Sequence, residues 1–209
     1  MKSLGKLDRT FLGFVFCFVL VGCSKTDFAP PENSTPNVIF FAAASTINAV
    51  EEIGSIFEKN TGIHIVTNFA SAAVLSQQID SGAEASLFLS ANQKWVDSLE
   101  KDHWVSERVN LLGNQLVLIV PKDSKLVIHK PDDLLSSEIQ YLAIADPDSI
   151  PAGIYAKQAL TRLHLWNSLQ QKSVRGTDVR QTLLFVEKQE AEAGIVYSTD
   201  ANISQAVRI

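Results

Sequence analysis

A chain of 209 residues with 46% hydrophobic and 20% charged residues has globular composition, at a length suited to one or two domains. Its 23 acidic residues against 18 basic ones, a formal charge of −5, exclude binding driven by neutralising nucleic-acid phosphates. The only two cysteines, Cys17 and Cys23, exclude a thiolate zinc centre and a disulfide framework.

In chain order, the first segment carries Lys2, Lys6 and Arg9 against Asp8 and is followed by an apolar run over 11–21 that ends in Leu20-Val21-Gly22-Cys23. The run is shorter than the roughly 20 residues that cross a bilayer, so 1–22 reads as a secretion signal ending in a lipobox, with the Cys23 thiol as the acylation site. Residues 23–37, with Pro30, Pro31 and Pro36, read as an unpacked tether.

An apolar run predicts a strand over 38–44. A helix over 46–59 follows, with Ile47, Val50, Ile53, Ile56 and Phe57 at helical spacing, and Gly62 ends it. Strands over 63–69 and 86–91 alternate with helices over 73–81 and 93–101, a pattern that implies crossover connections and a parallel sheet. A second block gives a strand over 116–120 stopped by Pro121, a short helix over 131–135, a strand over 141–145, helices over 154–163 and 178–189, and a strand over 193–197. The economical assembly is α/β, with two lobes of mostly parallel sheet flanked by helices. Lobe 1 takes 38–114 plus 198–209, lobe 2 takes 115–197, and the cleft lies between their strand ends.

Strand-to-helix junctions recur at Ala44-Ser45-Thr46, Ala70-Ser71-Ala72 and Pro151-Ala152-Gly153. The first N–H groups of a helix lack internal partners and carry the positive end of its dipole, so these junctions predict a receptor for a small anion, built without basic residues. Each residue also has a plainer role. Ser45 suits a helix N-cap, Ala152 a helix start behind Pro151, Val179 an apolar helix face and Tyr197 a buried aromatic. Other chemistries find little footing. His64, His103, His129 and His164 show no ligand spacing, Asp146 and Asp148 flank Pro147 as turn residues, and neither a nucleophile elbow nor a phosphate loop is present.

Several blocks appear in a fixed order. They are Phe41-Ala42-Ala43-Ala44-Ser45, Phe69-Ala70-Ser71, Ser90-Ala91-Asn92-Gln93-Lys94-Trp95, Leu112-Gly113-Asn114, Pro151-Ala152-Gly153-Ile154-Tyr155-Ala156-Lys157, Asp178-Val179-Arg180 and Gly194-Ile195-Val196-Tyr197. Together they resemble the periplasmic molybdate-binding proteins, the substrate-binding components of molybdate ABC transporters. The resemblance implies a type II periplasmic-binding-protein fold that closes on molybdate or tungstate, with Ser45, Ala72, Ala152, Val179 and Tyr197 as the oxyanion-binding positions. Molybdenum then enters only inside its oxyanion, with no direct protein ligand and no cofactor. The family's serine hydroxyl is absent at Ala72, where Ser71 stands next door as a substitute donor, and Ser86 replaces a usual aspartate. The resemblance further implies a monomeric, non-enzymatic receptor, lipid-anchored outside the cytoplasm, that serves a permease with a cytoplasmic ATPase and hinges near Asn114 and Tyr197. The family continues past Tyr197 with a further crossing to the first lobe. A chain stopping at Ile209 is expected to leave part of that lobe's sheet uncovered. Two alternatives stay open: a receptor for sulfate or phosphate, and a hydrolase or transferase on the same scaffold.

Overall fold

The computed structural model describes residues 37–209. The expected signal at 1–22, Cys23 and the tether up to 36 lie outside the described residues. Asn37, expected in the tether, instead opens a strand.

The first half is a parallel three-stranded sheet in the order β2-β1-β3, made of β1 (Asn37–Ala43), β2 (His64–Ala70) and β3 (Leu87–Leu89). A 3-10 turn at Ala44–Thr46 leads from β1 into α1 (Ile47–Thr61). Gly62 ends α1 at φ 72°, a left-handed conformation that costs glycine little, and its N–H donates to the Glu58 carbonyl at 2.8 Å. The hydroxyl of Ser71 caps α2 (Ala72–Asp80) by accepting the Val74 N–H, and Asn92 caps α3 (Gln93–Lys101) by accepting the Lys94 N–H. Phe41, Leu75, Ile79 and Leu99 form the buried core between sheet and helices. On α1, Val50 is buried but Ile53 and Ile56 stay 63% and 55% exposed, so only part of its apolar stripe packs.

The second half is a mixed five-stranded sheet in the order β6-β5-β7-β4-β8. Its strands are β4 (Leu116–Pro121), β5 (Leu142–Ala145), β6 (Ser173–Gly176), β7 (Ala193–Tyr197) and β8 (Val207–Arg208), with a 3-10 turn at Pro131–Leu135 and helices α4 (Pro151–Arg162), α5 (Trp166–Leu169), α6 (Val179–Glu187) and α7 (Ser198–Ile203). Helices cover both faces. Ala143 and Ala145 point into a core shared with Val179, Leu183 and Val186, while Leu142 and Ile144 point into one shared with Ala156, Leu160 and Leu169.

β5 runs parallel to β6 and β7, but β4 runs antiparallel to β7 and β8. Placing 198–209 with the first lobe is corrected here. Val120 pairs with Arg208 and Pro121 with Val207, Lys122 N–H donates to the Ala206 carbonyl at 2.8 Å, and Val207 is buried in the second half's core. The free edge of β4 and an apolar slot for Val207 draw this segment to the second sheet. Among the described residues the chain therefore passes only once between the sheets, over 102–115, where Val109 and Leu112 stand well exposed.

Candidate functional site

The parallel register places the carboxyl ends of the strands together. Ala43 lies beside Ala70, so the Ser45 turn and the start of α2 emerge from the same end of the first sheet. In the second half Ala145 lies beside Gly176, and α4 and α6 begin just beyond them. Such strand ends are where open α/β sheets hold ligands.

At the start of α4, Pro151 occupies the first helical position and has no N–H to offer. Ala152 and Gly153 follow in a turn where no carbonyl of the helix reaches their N–H groups. Gly153 permits this seating, because a Cβ there would lie 2.1 Å from the Ala145 carbonyl oxygen. The turn before it is braced by Asp146, which accepts the Ser149 hydroxyl at 2.7 Å and meets Arg175 at 3.3 Å. At the start of α6, Asp178 accepts the Gln181 N–H at 2.8 Å and leaves the N–H groups of Val179 and Arg180 without a cap.

Ala152, Val179 and Tyr197 are buried in one cluster, against which Tyr155 and, from the first half, Ala91 pack. Tyr197 is 3% exposed and its hydroxyl has no hydrogen-bond partner among the described residues. Burial, with the Tyr155 hydroxyl and the Asp200 carboxylate nearby, pushes the Tyr197 hydroxyl well above the usual phenol range, so it stays a protonated donor.

Of the first-half positions, Ala72 and Ser71 are buried and Ser45 is half-buried. Ser45 sits inside the 3-10 turn rather than capping α1; Thr46 is the flanking residue, and its hydroxyl donates to the Ala43 carbonyl at 2.7 Å. Ala72 is the first residue of α2. Ser71 already accepts the Val74 N–H, which leaves its hydroxyl proton free to donate. Ala72 is not a member of the second-half cluster, whereas the Ser45 carbonyl accepts a hydrogen bond from Arg180, the neighbour of Val179 on α6. One groove starts at Asp178 and Arg180, on either side of Val179, and runs along α6 and α7 to Leu184 and Ile203; another lies beside Trp104 at the opposite end of the first sheet.

The expectation of sockets without basic residues is corrected by Arg180. Its Nε lies 2.6 Å from Oδ1 of the fully buried Asp200, and its Nη2 donates to Asn48 Oδ1 at 2.9 Å and to the Ser45 carbonyl at 3.3 Å. The Asp200 contact is an ion pair rather than a well-aimed hydrogen bond, since neither carboxylate oxygen meets a donor in bonding geometry. The Asp-Val-Arg motif drew attention to Arg180, but nothing in the sequence paired it with Asp200, twenty residues on and three beyond Tyr197.

Burial raises the Asp200 carboxyl to about 6, against the opposing pull of Arg180. Between about pH 4 and pH 6 the folded chain thus holds a proton that the unfolded chain has lost, and this group's contribution to stability falls as pH rises through that window. Asp200→Asn removes the dependence. The stability of the variant relative to the parent is expected to improve by roughly 3 kcal/mol from pH 4 to pH 6.5. The exposed acids held low by their hydrogen bonds, Glu58, Asp133 and Asp148, have the opposite sign but cancel in this difference. Urea unfolding of both proteins across this range checks it, and a pH-independent difference would show that Asp200 is ionised throughout.

Among the described residues no group of His, Cys, Asp and Glu converges in a metal-ligand arrangement. Residues 38–209 match the family model described as bacterial extracellular solute-binding protein. The molybdate-binding protein ModA of Haemophilus influenzae is 42% identical over 216 aligned positions, which cover 100% of this chain and 80% of that one. The protein of that name in Escherichia coli is 38% identical, over 95% of this chain and 77% of its own length. Among solved structures, the Azotobacter vinelandii periplasmic molybdate-binding protein superposes with a TM-score of 0.67 at 24% identity, over 77% of this chain and 71% of that one, a likeness of fold.

Proposed function

We propose, from the premise that this chain belongs to the bacterial extracellular solute-binding protein family, that it is a receptor for molybdate or tungstate outside the cytoplasm. It delivers the anion to an importer made of a permease and a cytoplasmic ATPase, and it catalyses no reaction. The ligand would be held by donors at Ser45, Ala72, Ala152, Val179 and Tyr197, with Ser71 supplementing Ala72, and acylation at Cys23 would keep the receptor beside its transporter. The halves carrying the two sheets act as lobes that close by bending in 102–115, driven by ligand contacts made to both at once.

The observation that carries this reading is the Tyr197 hydroxyl. A buried donor without a partner costs roughly 1 to 3 kcal/mol, and it is buried in one cluster with two helix starts whose N–H groups are also free. A tetrahedral dianion offers such donors an acceptor on each oxygen. Phosphate near neutral pH carries at least one proton that would face only donors, and sulfate is smaller, so a cage set for the longer metal–oxygen bond holds it with stretched hydrogen bonds.

Calorimetric titration with molybdate, tungstate, sulfate and phosphate tests the proposal. Molybdate and tungstate should bind at least about a hundredfold tighter than the other two, and equal affinity for sulfate would move the assignment to a general oxyanion receptor. The same titration on Ala72→Ser, which restores the family's hydroxyl, is expected to tighten molybdate binding by about tenfold, the effect of one further hydrogen bond to a charged acceptor. An unchanged affinity would place Ala72 away from the anion.

A further inference from the structure

We propose that Arg180 is a latch between the two halves, anchored on Asp200 in the second and gripping the Ser45 turn of the first, so that it positions Ser45's donors and holds the cleft closed. This rests on the reading of the site as a closing anion receptor.

Among the described residues, the two hydrogen bonds that join the half carrying the first sheet to the half carrying the second both come from Arg180. They span sequence separations of 135 residues to the Ser45 carbonyl and 132 residues to Asn48. The other end of the guanidinium is fixed by Asp200, which is fully buried and so presents a charge at a defined place. The planar guanidinium sets Nε against the carboxylate as an ion pair while Nη2 donates to two acceptors across the cleft, a spread of charge and donors that a compact ammonium does not reproduce.

The Ser45 turn needs an outside hold. It is a short 3-10 segment without a side-chain cap, held internally by the Ile47 N–H to the Ala44 carbonyl and by the Thr46 hydroxyl to that of Ala43. Gripping its carbonyl sets the orientation of the Ser45 hydroxyl and of the N–H groups that follow. Arg180 is also the immediate neighbour of Val179, so one turn of α6 carries both a donor for the anion and the grip on the opposite half. With one chain passage between the sheets among the described residues, that linkage alone constrains their relative orientation weakly, which makes such a contact count for more.

The test uses Arg180→Gln, Arg180→Lys and Asn48→Ala. Asn48 is solvent-exposed, so its variant keeps the fold even if Arg180→Gln, which leaves Asp200 buried without its partner, proves unstable. Without ligand, amide hydrogen exchange over 44–48 should accelerate about tenfold in Arg180→Gln and several-fold in Asn48→Ala, with β5 and β7 unchanged in the latter. Molybdate affinity should fall about tenfold or more in Arg180→Gln and several-fold in Asn48→Ala, and Arg180→Lys should not restore it. Parent-like exchange and affinity in Asn48→Ala would overturn the latch, as would full function of Arg180→Lys. Should the parent bind neither molybdate nor tungstate, the receptor reading fails, and the exchange measurement alone decides the latch.

Discussion

Replacing Val179 with proline is expected to weaken molybdate binding by about ten- to a hundredfold while leaving the fold almost undisturbed. The substitution removes one main-chain N–H and exchanges the buried valine side chain for an apolar ring of similar size. Val179 is the first residue of α6, where the N–H has no partner in the helix and where the ring's fixed φ suits the backbone. The preceding residue, Asp178, is already extended at φ −157° and ψ 179°, close to the conformation that a following proline favours. The Asp178 cap to Gln181 is untouched. If the Val179 N–H donates to the dianion, its loss removes a hydrogen bond to a charged group, worth roughly 1.5 to 3 kcal/mol. Urea midpoints should stay within about 1 kcal/mol of the parent, and calorimetry should show the affinity loss. Unaltered affinity in a normally folded variant would remove α6 from the binding site.

The second large effect is expected at Gly153, where alanine should destabilise the second half by several kcal/mol and abolish anion binding with it. A Cβ at this position would lie 2.1 Å from the Ala145 carbonyl oxygen and 2.5 Å from that of Asp146. Both are backbone atoms at the end of β5, a strand buried along its whole length, so neither can yield as a flexible side chain would. The first turn of α4 would have to lift off the sheet, carrying Ala152 away from Tyr197 and opening the core they share. Thermal unfolding should show a fall in melting temperature of roughly 10 °C or more. A melting temperature within a few degrees of the parent's would mean that α4 is not seated as described.

The contrast between the two substitutions explains what was legible in the sequence. Local signals were readable because their causes are local. The helix expected over 93–101 matches α3 at both ends, where the structure shows Asn92 as its cap, and the strands expected over 38–44 and 193–197 match β1 and β7 closely. Proline at 151 pointed to a helix start, although α4 begins there rather than at 154. The missed elements depend on partners distant in sequence. β6 reads Ser-Val-Arg-Gly, with no apolar alternation, and is a strand because β5 pairs with it. β8 is two residues held by the edge of β4, and the antiparallel run of β4 itself leaves no trace in periodicity, which marks a strand but not its direction. The candidate binding positions came from ordered blocks. The Arg180 and Asp200 pairing did not, because a salt bridge twenty residues apart follows from the way α6 and α7 pack and from no spacing rule.

Among the described residues, the backbone over 102–115 is the one strap between the halves, and it is open to attack. A protease cutting between Val109 and Leu112, both on the outside, would leave the described halves associated through side-chain packing such as that of Ala91 and through the Arg180 contacts, so the nicked protein should separate more readily under urea than the intact one unfolds.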